Sequence, residues 1–173
     1  MECTAKISHK KQTKEWFRMS RIIQPEYIKL NTNDSSQEEV FQTIASIAVE
    51  NGIASSVNDV VKGLKAREEE STTGFQEGFA IPHTQSDAVI KPAVVIVRTK
   101  NGIEWQSFDD KPSFFFLSLL IPNEEAGSTH LQALSALSRA LMDEDKRQAF
   151  LDATTGEELA ELIGEAIPSG EDH

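Results

Sequence analysis

Residues Ser113 to Ile121 read SFFFLSLLI, and this run limits the fold more than any other part of the chain. It is uncharged, and only Ser118 interrupts the apolar stretch from Phe114 to Ile121. A membrane-spanning helix needs roughly 20 apolar residues, so the run is far too short for one. It is the right length for a strand. Because consecutive strand residues point to opposite faces, an unbroken apolar strand must be covered on both sides. Ala93 to Val97 is a second β-branched, apolar segment of the same kind. Tyr27–Leu30 reads as a short strand, Gly78–Ile81 as a short apolar segment halted by Pro82, and Ile103-Glu104-Trp105 as an alternating strand near an edge.

Helical periodicity supplies the cover. Ser35 with Glu38 forms a capping-box pattern, followed by Val40, Phe41, Ile44, Ile47 and Ala48 at helical spacing and by Gly52 as a stop. Val57, Val60, Val61 and Leu64 lie on one face of a second helix running to Arg67. Leu131, Leu134, Leu137 and Leu141 mark a third, from His130 to Met142, and two further helical patterns span 143–152 and 156–167. Asp109–Pro112 is a turn and Ser71–Glu77 a polar loop. The class is α/β, a single domain with a sheet covered on both faces.

Charge is divided unevenly. Residues 1–21 hold six Lys or Arg against two Glu, while 22–173 hold eleven against twenty-six Asp or Glu. The basic stretch 1–21 reads as a tail, 22–168 as the folded body and 169–173 as a short C-terminal tail. An acidic body argues against nucleic-acid binding. Cys3 is the single cysteine, which excludes an internal disulfide. No secretory signal and no membrane segment is visible, so the sequence points to a cytoplasmic address and no direct membrane insertion.

Of four histidines, His9 lies in the basic tail and His173 is the last residue. His83 follows Pro82 directly, so its imidazole is expected to be presented from a stiff loop at the end of a strand, where open α/β sheets commonly bind ligands. His130 falls at a helix start, after Ser128 and Thr129, where free N–H groups favour an anion. A neutral imidazole is a nucleophile that can hold a phosphoryl group, and phosphoryl transfer asks the protein mainly for positioning and positive donors. An Arg such as Arg67 and a second imidazole would meet that need.

The run Arg67-Glu68-Glu69-Glu70-Ser71-Thr72-Thr73-Gly74, followed by Gly78-Phe79-Ala80-Ile81-Pro82-His83, resembles the signature of the fructose/mannitol-type IIA domains of the bacterial phosphotransferase system. His130-Leu131, with Leu134, Leu137, Ser138, Arg139 and Leu141, is similar to the family's second motif, and the resemblance covers about residues 24–167. Thr84 stands where many members carry Gly. The resemblance implies His83 as phosphoacceptor, His130 as second active-site histidine and Arg67 as the arginine that stabilises the phosphoryl group. It implies a mixed sheet of about five strands flanked by helices on both faces. It also implies a phosphorylated carrier protein (HPr) as donor, a cysteine-type IIB protein of a fructose-like system as acceptor, and no cofactor or metal. No IIB cysteine motif or membrane IIC segment accompanies the body, so those partners are expected on separate chains.

Two other readings follow from the same residues. Ser86-Asp87-Ala88-Val89 with Lys91-Pro92-Ala93 is similar to fructose-type transporters, whereas a nitrogen-regulatory IIA-like protein would use the same phosphohistidine as a signal. Two nearby imidazoles could instead bind Zn²⁺ in a hydrolase, although no short-spaced pair such as H-E-x-x-H is present. A pure interaction module would leave both histidines incidental.

Overall fold

The computed structural model describes residues 22–125 and 128–167; the two expected tails, 1–21 and 169–173, lie outside them. Among the described residues are strands β1 (Ile28–Thr32), β2 (Phe79–Ala80), β3 (His83–Ser86), β4 (Ala93–Ile103) and β5 (Ser113–Pro122). Helices α1 (Gln37–Glu50), α2 (Val57–Glu70), α3 (Ser128–Met142), α4 (Glu144–Asp152) and α5 (Gly156–Ala166) complete the order. The sheet runs β1-β4-β5-β2, with β3 also on β5. It is mixed: β1 is parallel to β4, β4 is antiparallel to β5, and β2 and β3 are parallel to β5.

The alternation of β5 divides its side chains between two cores. Phe116 and Leu120 join Val95 and Val97 beneath the apolar faces of α1 and α2. Phe115, Leu117, Leu119 and Ile121 join Val94 and Ile96 beneath α3, α4 and α5. The charge-free run therefore lies at the centre of the sheet, covered on both sides, because either face left in water would expose several large apolar side chains.

Several local expectations shift. The cap of α1 is Ser36 rather than Ser35: Glu39 N–H donates to Ser36 Oγ (3.1 Å), and the Glu39 carboxylate accepts from Ser35 N–H (2.7 Å). Both serines fit the pattern, and the φ of −144° at Ser36 marks the residue still outside the helix. Ser36→Ala should cost about 1 kcal/mol, and for a domain of this size lower the melting temperature by roughly 2–4 °C, a shift that a thermal melt would read.

Ile103-Glu104-Trp105 is not a separate edge strand. Ile103 ends the long β4, paired with Ser113, and Trp105 leaves the sheet to bury itself against Phe41 and Phe116. The leucines that mark α3 do not all face the core. Leu137 and Leu141 are buried with Ala133 and Ala140, whereas Leu131 is 61% exposed. Small alanines let this helix sit close to the sheet, and leucine spacing alone does not show them.

Candidate functional site

The edge of the sheet is built in two pieces. Ala80 pairs with Phe116 and His83 with Leu119, so the register is the same before and after Ile81-Pro82. Pro82 has no N–H to give the ladder. It still contributes a carbonyl, which accepts from Leu119 N–H at 3.0 Å. His83 is therefore the first residue of a resumed strand, not a loop residue beyond a strand end. The polar sequence His83-Thr84-Gln85-Ser86 carries no strand periodicity, and pairing with β5 imposes the extended backbone. Thr84, buried in that strand, is β-branched and well suited to it.

Helix α2 approaches this edge at Gly63. A Cβ there would lie 2.6 Å from Thr84 Oγ1, so the glycine leaves room for the Thr84 side chain against the helix. Arg67 lies four residues further along, on the same face of the helix. From the last turn, Arg67 Nε–H donates to His83 Nε2 at 3.2 Å, and Arg67 Nη1 donates to the Ser71 carbonyl at 2.9 Å. The arginine is half-buried, and the imidazole is 7% exposed.

The other ring nitrogen, His83 Nδ1, lies 2.8 Å from the Ile81 carbonyl. A carbonyl only accepts, so Nδ1 must carry the proton. Arg67 Nε only donates, so Nε2 must offer its lone pair. The two contacts together fit the Nδ1–H tautomer, with the Nε2 lone pair turned toward Arg67. No group of three His, Cys, Asp or Glu side chains that could hold a metal ion occurs among the described residues. His130 is the third residue of α3, in its first turn; its side chain lies outside the description.

Sequence reasoning missed three parts of this arrangement. Gly63 had a signal: a glycine inside a helical pattern costs about 1 kcal/mol relative to alanine and calls for a packing reason. Glu68 was read only as part of a motif, yet its carboxylate gathers donors from the loop after α2 and from Trp105. Gly74 has no room for a side chain, since a Cβ would lie 2.0 Å from the Gln106 carbonyl. Loops 71–74 and 104–108 are thus pressed together beside the site.

An α/β protein with a histidine held by an arginine at the sheet edge belongs to a recognisable class. The model of the phosphoenolpyruvate-dependent sugar phosphotransferase system EIIA 2 family matches residues 21–166, and the chain belongs to that family. It is 36% identical over 149 residues to the PTS system fructose-specific EIIA component of Haloferax volcanii, covering 86% of this chain and 96% of that one. It is 30% identical over 148 residues to the fructose-specific EIIABC component of Bacillus subtilis, covering 86% of this chain but spanning only 23% of that longer protein. The crystal structure of nitrogen regulatory protein IIA-Ntr from Neisseria meningitidis superposes with a TM-score of 0.76 at 27% identity, covering 84% of this chain and 98% of that one. Proteins of this family act in phosphoryl transfer, working with HPr and IIB partners. No helix among the described residues is long and apolar enough to cross a membrane.

Proposed function

We propose that the chain is a phosphocarrier that accepts a phosphoryl group from phosphorylated HPr on Nε2 of His83 and passes it to the cysteine of a IIB protein in a fructose-like uptake system. One observation carries the reading: the imidazole has its Nδ1 proton bound to a carbonyl and its Nε2 lone pair turned to an arginine. In the first transfer, the Nε2 lone pair attacks phosphorus as the donor's N–P bond breaks. The Nδ1–H bond to the Ile81 carbonyl supports the positive charge that the ring gains. Arg67 Nε–H, displaced from the lone pair, turns to a phosphoryl oxygen. In the second transfer a thiolate of the acceptor attacks phosphorus, the Nε2–P bond breaks, and Arg67 returns to the lone pair. His130, at the start of α3, is the second donor to the phosphoryl oxygens in this reading. In this reading the work is done in the cytoplasm.

The identity to a fructose-specific EIIA component favours the transport role. The 27% identity to IIA-Ntr supports a second reading, in which the same phosphohistidine serves as a regulatory signal. Reconstitution separates them. The phosphorylated chain is mixed with the IIB proteins of its own cell, and label is followed onto their cysteines. Transfer to a fructose-type IIB is the expected result. If no IIB accepts the label, and loss of the gene alters nitrogen or potassium control while sugar uptake is untouched, the regulatory reading takes its place.

A further inference from the structure

Helix α2 ends in Glu68-Glu69-Glu70, three carboxylates at the negative end of a helix dipole, where acidic side chains are unfavourable. Glu69 and Glu70 are exposed, so water screens them. Glu68 is half-buried, and its charge is met by directed donors. Its Oε1 accepts from Thr73 Oγ1 (2.6 Å), and its Oε2 accepts from Thr73 N–H (2.8 Å) and Trp105 Nε1–H (3.1 Å). The Thr72 hydroxyl lies 3.0 Å from Oε2, but its one proton is closer to the Gln106 carbonyl, at 2.6 Å. A carboxylate with this many donors holds its ligands firmly, because hydrogen bonds to a charged acceptor are the strong ones.

We infer that Glu68 is a positioning residue for phosphoryl transfer: it holds the loop that holds Arg67 in line with Nε2 of His83. The inference rests on the phosphocarrier reading. Arg67 is a long side chain whose Nε reaches His83 while its Nη1 is anchored on the Ser71 carbonyl. Ser71 leaves the helix in an extended conformation (φ −171°, ψ 151°), so its carbonyl is not fixed by the helix itself. Of the residues that follow it, Thr73 is fixed directly by Glu68, and Thr72 is fixed beside it by its bond to the Gln106 carbonyl. Trp105 ties the same carboxylate to the core, since its ring packs edge-on against Phe41 at 5.6 Å and tilted against Phe116 at 4.8 Å. Glu68 thus connects the core to the arginine without touching the histidine.

Glu68→Gln keeps the shape of the side chain but turns an amide N–H₂ toward donors. Two measurements on this variant test the role. Single-turnover transfer from phosphorylated HPr should slow by about tenfold at saturating donor, with the donor concentration for half-maximal rate unchanged. The ¹⁵N resonances of the His83 ring and of Arg67 Nε should move together, reporting loss of the contact between them. Wild-type transfer with unmoved resonances would overturn the inference, as would slowing that appears only in the half-saturating concentration while the resonances stay in place. If Glu68→Gln does not fold, Thr73→Val removes one donor to the carboxylate at nearly constant volume, and Trp105→Phe removes another while keeping an aromatic ring in the core. Each should slow transfer two- to threefold and shift the same resonances, and wild-type behaviour in both would overturn the inference. If the unaltered chain takes no phosphate, the phosphocarrier reading falls by itself, and the resonances still decide whether Glu68 holds Arg67 on His83.

Discussion

His83→Ala should abolish phosphorylation by phosphorylated HPr, with no label detectable where the unaltered chain labels fully. The expectation follows from the tautomer rather than from the residue type alone. With Nδ1–H given to the Ile81 carbonyl, the ring has one lone pair to offer, and it lies on Nε2. Phosphorus should accordingly be bonded to Nε2, which ¹⁵N and ³¹P resonances distinguish from a bond to Nδ1. The bond should break in acid and survive base, as a phosphoramidate does. Label on Nδ1, or label that persists in His83→Ala, would show that the geometry at the sheet edge has been misread.

Arg67→Ala should slow transfer by roughly 100-fold or more, the usual cost of removing a donor aimed at developing negative charge. Its effect on stability should be small, because the side chain is half-buried and its bonds lie at the end of a helix. Arg67→Lys should rescue little of the rate. The structure uses two different nitrogens of one planar group, Nη1 on the Ser71 carbonyl and Nε on the imidazole, and an ammonium cannot occupy both positions. Rapid-quench measurement of a single turnover, with melting temperatures in parallel, separates lost chemistry from lost folding. Wild-type rates in Arg67→Ala would remove the arginine from the mechanism.

The apolar stripe of α2 is legible because every residue of the stripe lies within a few positions of the next. Val60, Val61 and Leu64 were on one face by spacing and are buried. At α3 the leucine spacing marks the helix but not its buried face, since Leu131 is exposed. Buried alanines carry little hydropathy signal, yet they determine how closely a helix can pack. The capping box reads at Ser35 in the sequence, and the backbone puts the cap one residue further on, at Ser36.

For the site, the sequence by itself determined which residues could act: a histidine locked behind a proline, an arginine sixteen positions earlier, and a charge-free strand that had to be covered on both sides. What only the tertiary structure decided is how they meet. His83 becomes a strand residue because β5 supplies partners for a segment that has no strand pattern of its own. Arg67 faces Nε2 because Gly63 lets α2 close onto Thr84. Glu68 bonds Trp105, thirty-seven positions away. A local period reports which face of an element is apolar and says nothing of which distant backbone will lie against it. Those contacts form only when the sheet and its helices are assembled, and they decide which nitrogen of His83 faces Arg67.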